Sequence, residues 1–228
     1  MANDVDEEET TPLKAALFES VRRRLATDGF ELKTQYDKFI RRHDGVTDHF
    51  QLVCKDAKPG YRIQPNVGVR IDRVEEIFHQ TSGFEPKYQG NTSTMGAPVG
   101  TLLGGNPRGC EFPLASEPEI PAVTDQIIGV FRKVATPFYK HWSSLAAIDA
   151  ELNDKPGERT LYRSLAWFRC STGIIVAKLV GRPDYDRLVA FYTDVMTRDN
   201  KGFYLKRFQP LVASLERVAA GTGKSLGQ

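Results

Sequence analysis

An α+β fold is what this sequence predicts: an N-terminal helix with an antiparallel meander sheet, followed by a helical C-terminal half. Three observations carry that expectation. Alternating apolar and polar runs, broken by Asp-Gly and Pro-Gly turns, are confined to the first half. Helical periodicity takes over from Ile120. Strands and helices do not alternate, as βαβ units would require. The 228 residues are 40% apolar and 26% charged, values that exclude disordered and fibrous classes and leave ample material for a core. The expected organisation is a disordered acidic tail over residues 1–10, a single domain over 11–220 (a helix-plus-sheet half to 118, then a helical half), and a flexible tail over 221–228.

Thr11 can cap a helix that Pro12 opens, and Leu13, Leu17, Val21 and Leu25 give it one apolar stripe down to Asp28-Gly29. Arg22, Arg23 and Arg24 complement the dipole at its C-terminal end, which accounts for them without nucleic acid. Strands are expected at 30–33, 38–42, 49–54 and 61–71. His43-Asp44-Gly45 and Lys58-Pro59-Gly60 turn the chain between them. A short helix covers 73–80. The stretch 83–117, rich in Gly and Pro, is irregular, with edge strands expected at 99–103 and 110–114. Helices follow at 121–136, 143–152, 159–180, 185–196 and 201–219, with a second start at Pro137.

Charge and cysteines set the compartment and the class of partner. No run of about 18 apolar residues exists to span a membrane. The start Met1-Ala2-Asn3-Asp4 is acidic, unlike a secretory signal. Cys54, Cys110 and Cys170 form no CxxC pair and are odd in number, so buried inert thiols in a reducing cytoplasm are expected. Five of the 29 acidic residues lie within residues 1–10, leaving 24 against 31 basic residues in the body. This modest excess favours acidic partners, and it serves solubility equally well.

Motif strings add little chemistry. Gly221-Thr222-Gly223-Lys224-Ser225 imitates a P-loop but has Val218 where the first glycine belongs. Gly104-Gly105-Asn106-Pro107-Arg108-Gly109 can bring backbone amides to an anion, although turns explain its composition. His43, Asp44, Asp48 and His49 surround one turn without a metal-ligand spacing. Glu75 and His79 lack the second histidine of a zinc helix, and His141 beside Trp142 reads as aromatic packing. No metal and no cofactor is expected.

Several elements occur in a recognisable order: Asp28-Gly29-Phe30 after the first helix, Phe39-x-Arg41-Arg42, Phe50-Gln51-Leu52 and Asn66-Val67-Gly68-Val69-Arg70. Ala135-Thr136-Pro137-Phe138-Tyr139 then precedes a Ser143-Ser144-Leu145 helix. Over residues 13–153 this resembles an uncharacterised bacterial domain of unknown function, some of whose members accompany toxin–immunity loci. The resemblance carries no catalytic residues. It implies a compact cytoplasmic protein that binds another protein, with toxin neutralisation as the specific case.

The expected function is therefore non-catalytic protein binding by occlusion, an immunity or antitoxin protein being the sharpest version. Arg41, Arg42 and Arg70 on strands and Arg108 in the loop are the candidate partner-binding residues, able to fork onto carboxylates of an acidic toxin surface. Two alternatives stay open: a small enzyme with the 96–113 loop as a lid, and a nucleic-acid-binding accessory factor, which would need one contiguous basic face.

Overall fold

A computed structural model describes residues 11–218; the acidic tail, the 221–228 tail with its P-loop-like string, and the end of the last expected helix lie outside them. The class is α+β: an N-terminal helix, an antiparallel sheet, then a helical half. The elements in order are α1 (Pro12–Leu25), β1 (Glu31–Lys33), β2 (Lys38–His43), β3 (Val46–Asp56), β4 (Tyr61–Ile71), α2 (Asp72–Ser82), α3 (Pro86–Gln89), β5 (Met95–Pro98), α4 (Val99–Gly104) and β6 (Phe112–Leu114). There follow α5 (Ile120–Val130), α6 (Thr136–Trp142), α7 (Leu145–Asn153), α8 (Ala166–Val180), α9 (Tyr185–Arg198) and α10 (Leu205–Leu215). The strand order is β1-β2-β3-β4-β5, with β6 also on β4.

The chain divides into two compact units, each assembled from separate segments. One takes residues up to Arg41, Phe50–Asn66 and Pro98–Ala135; the other takes Arg42–His49, Val67–Ala97 and the chain from Thr136.

In the first unit, Thr11 caps α1 by accepting from the Lys14 amide at 3.3 Å, with Pro12 as the first helical residue. Of the expected stripe, Leu17, Val21 and Leu25 are buried and Leu13 is half-buried; Phe18 beside it is buried as well. A short 3-10 turn then ends at Gly29, whose φ of 79° any other residue would resist. α1 meets α5 through Ser20 and Thr124 (3.0 Å) and an exposed Arg24–Asp125 ion pair. Phe30 and Phe50 both meet the Phe131 ring at 5.2 Å in edge geometry. Each such ring contributes about 1.5–3 kcal/mol by leaving water.

In the second unit, Asp44 (φ 45°) and Gly45 (φ 72°) form the paired left-handed turn that Asp-Gly encodes between β2 and β3. α8 is buried along most of its length and packs α7 and α9. A Cβ on Gly173 would come within 2.8 Å of the Tyr192 hydroxyl, so only glycine lets these helices close. That hydroxyl lies 2.7 Å from Leu152 O and 2.8 Å from Asn153 Oδ1.

Three expectations are corrected. Residues 99–103 form α4 and not an edge strand, because Pro98 cannot extend a ladder and Gly105 (φ 76°) closes the helix. α8 starts at Ala166, seven residues later than expected at 159, because long-range bonds claim the preceding backbone: the Gly96 amide donates to Tyr162 O at 3.1 Å. The last helix starts at Leu205, since Asn200 (φ 44°) and Lys201 (φ 54°) are both left-handed. The expected second start at Pro137 appears as a widened π-type turn over Phe131–Ala135, a geometry that accommodates the missing proline N–H.

Candidate functional site

The four candidate arginines occupy unlike environments. In the first unit, Arg41 lies half-buried, its guanidinium 4.9 Å from the Phe30 ring centre and donating to Asp28 O at 3.3 Å. Arg108 is exposed on the loop after α4, where its amide donates to Asn106 Oδ1 at 3.0 Å. That loop is anchored by Gln64, which donates to Pro107 O, and by close approach of Gly100 to Asn106 O. In the second unit, Arg42 is exposed, whereas Arg70 is only 9% exposed.

Arg70 belongs to a buried polar network that the sequence does not announce. Its Nε donates to Asp72 at 2.8 Å, and its Nη1 donates to Gln89 O (2.8 Å) and to Thr92 Oγ1 (2.9 Å). Thr92 donates in turn to Gln89 O at 3.0 Å, so its oxygen accepts from His79 Nε2 at 2.9 Å. Ser82 accepts from the Phe84 amide, and its hydroxyl lies 2.9 Å from His79 Nδ1. With Thr92 already donating to Gln89 O, the Nε2 contact needs a proton on the ring nitrogen, while Ser82 can either donate to Nδ1 or accept from it. Burial pushes the His79 pKa below its ordinary value; Glu75 opposes the shift, and Arg70 and Arg163 reinforce it.

Behind His79 lies Glu75, fully buried, with Oε1 accepting from Thr94 at 2.9 Å and lying 3.5 Å from Arg163 Nη2. Its Oε2 accepts no hydrogen bond among the described residues and faces His79 Nε2 at 3.8 Å. Arg163 also donates to Ser93 O and stacks over Phe168, 4.9 Å from the ring centre. Burial lowers the Arg163 pKa, and Glu75 works against that.

Two recesses open in this second unit. The first, of about 310 Å³, is a shallow depression bordered by Arg70, Glu76, His79, Gln80, Gln89 and Gly90. The second, of about 180 Å³, is more enclosed and aromatic: Phe84, Trp167, Phe168 and Tyr204 wall it, with Leu165, Asp199 and Arg207 at its edges. Trp167 and Tyr204 stack in parallel at 5.5 Å, and Phe84 packs on Phe168 at 6.0 Å. The recesses are neighbours, since Phe84 of the second packs on His79 of the first at 5.6 Å. Arg207 is fixed by donating to Ser82 O at 2.7 Å.

The rim of the aromatic groove is apolar and open. Leu165, which lines it, is 64% exposed; Phe203, outside the lining but edge-on to Tyr204 at 4.9 Å, is 51% exposed. Lys206 lies over the Phe203 ring at 5.3 Å, and Lys201 is also exposed, so Asp199 is outnumbered by basic groups. The left-handed pair Asn200–Lys201 holds this rim segment, a conformation costing of order 1–3 kcal/mol per strained residue.

Elsewhere the chemistry is subdued. His43 meets the buried Asp48 at 3.1 Å, His49 meets Ser93 at 3.0 Å, and His141 packs edge-on against Trp142. Among the described residues, no group of three or more His, Cys, Asp or Glu is placed to hold a metal ion. All three thiols are free; burial pushes Cys170 up to about 12 and raises Cys110, which keeps both protonated at neutral pH. No helix among the described residues is long and apolar enough to cross a membrane. No family model, curated protein or solved structure matches the chain.

Proposed function

We propose that the protein is a non-catalytic binding module of the bacterial cytoplasm, and that its aromatic groove takes one large apolar side chain from a partner polypeptide. The observation that carries this reading is the pairing of a partly enclosed aromatic recess with the exposed Leu165 on its lining and the exposed Phe203 ring edge-on to its Tyr204 wall. An apolar cavity of about 150 Å³ admits a benzene-sized group, so about 180 Å³ suits a leucine, methionine or phenylalanine side chain. Trp, Tyr and Arg dominate interface hot spots, and Trp167, Tyr204 and Arg207 supply all three. Lys201, Lys206 and Arg207 favour acidic residues flanking that apolar anchor. The free thiols fit a reducing compartment.

The sharper version, an immunity protein occluding a toxin, rests on the resemblance to the bacterial domain; the basic rim fits an acidic toxin surface. Selection from a random peptide display library tests the reading. Recovered binders should carry an aliphatic or aromatic residue beside Asp or Glu, and a Leu165→Asp, Phe203→Asp variant should lose them by more than tenfold, since an anchor of 1.4 kcal/mol or more is worth that factor. Recovery of no binder, or of binders that hold the variant equally well, would overturn it.

A further inference from the structure

We propose that the depression over Arg70 is a seat for a carboxylate, filled by an acidic side chain of the same partner whose apolar anchor enters the aromatic groove. The inference rests on the groove reading for the source of the carboxylate, but not for the seat itself.

The guanidinium of Arg70 is held on one edge and open on the other. Asp72, Gln89 O and Thr92 take Nε and Nη1, while Nη2 has no acceptor among the described residues. Because the side chain is 11% exposed and tied at three points, its geometry is set before any ligand arrives. Ordering entropy that usually weakens a surface arginine contact is thereby avoided. Nη2 is a solvent-accessible donor on a cation that Asp72 pairs from the other edge, and beside an open recess it is a donor that an incoming anion can take over from water.

The border selects the anion. Asp72, paired with Arg70, and Glu76 at the edge are both carboxylates and repel a doubly charged phosphate more than a monoanion. Gln80 is exposed there and offers a second N–H donor to the other carboxylate oxygen. Burial disfavours a positive charge on His79, whose ring is tied to Ser82 and Thr92 on both nitrogens. The seat therefore fits a carboxylate better than phosphate. His79 of the depression packs on Phe84 of the groove at 5.6 Å, so the two recesses are neighbours, and a partner seated in the groove is a nearby source of the carboxylate.

Titration of isotope-labelled protein with sodium acetate at constant ionic strength, followed by NMR, tests the seat. The Arg70 Nε–H and Gln80 side-chain amide signals should move saturably in the millimolar range, and sodium phosphate should bind more weakly. Gln80→Glu, a surface change that leaves the unfolding midpoint in place, should weaken acetate binding at least tenfold. The same substitution should weaken groove-selected peptides that carry an acidic residue, and spare those without one. Unsaturable shifts, an unaffected Gln80→Glu variant, or phosphate binding more tightly than acetate would overturn the seat. If acetate binds but no peptide engages the groove, the partner reading falls and the seat serves a free organic acid. If peptides bind the groove while acetate does not saturate, only the seat falls.

Discussion

The two recesses of the second unit are neighbours built on opposite principles. The aromatic groove is defined by volume: ring faces of Trp167, Tyr204, Phe84 and Phe168 offer apolar surface to whatever group fits. The depression beside it is defined by direction: Arg70 and His79 are held by hydrogen bonds to Gln89 O, Thr92 and Ser82. A groove of the first kind supplies affinity from area and tolerates repacking. A network of the second kind supplies orientation, and fails when one member is lost. Their different failures separate them experimentally.

The largest effect is expected inside the polar network. Glu75→Ala removes a fully buried carboxylate and leaves Arg163 desolvated without its counter-ion. Loss of one partner of a buried ion pair costs about 3–5 kcal/mol, to be read from urea unfolding. By contrast, Phe203→Ala, at the exposed ring edge-on to Tyr204 of the groove, should change stability by less than about 0.5 kcal/mol while weakening peptide binding.

Gly83 joins the two regions, since it follows Ser82 of the network and its Cβ position lies 2.9 Å from the Arg207 guanidinium. With φ at 72°, Gly83→Ala should cost about 1–2 kcal/mol of stability. It should also loosen groove-binding peptides by displacing Arg207; unaltered affinity would detach Arg207 from the groove's work.

A pH series sharpens the contrast further. The folded pKa of His79 lies below the unfolded value of 6.5, so the unfolded chain binds the extra proton first. The His79 contribution to stability is complete above pH 6.5 and is lost as pH falls toward its lowered folded value. Differential unfolding of His79→Gln against the native chain isolates it: the difference should depend on pH below 6.5 and flatten above. The smallest effect is expected at the exposed Arg198–Asp194 pair on α9, where Arg198→Ala should stay within about 0.5 kcal/mol of the native chain.

Local signals account for much of the fold. Thr11-Pro12 starts α1, Asp44-Gly45 makes the hairpin, and Tyr61–Ile71 forms a strand with the expected limits. Where tertiary contacts outweigh local pattern, the reading slips. Apolar residues 99–103 suit strand and helix alike, and the helical periodicity over 159–165 gives way to the bonds made by Tyr162 and Arg163. Arg70 was legible as a candidate from its strand, yet alternation alone cannot show that its face is covered. The groove draws on residue 84, the start of α8 and the segment 199–207, three stretches that no spacing rule brings together. Its one local trace was the apolar Leu165 next to Trp167 and Phe168, which merges into an ordinary helix pattern.

The most direct test of the central claim is the Trp167 indole N–H resonance, assigned with Trp142→Phe because the chain has two tryptophans. On titration with a display-selected peptide it should shift saturably, and Leu165→Asp should abolish the shift, whereas Leu103→Asp, an exposed leucine of the first unit, should not. A resonance that stays still while the peptide is demonstrably bound would contradict the account.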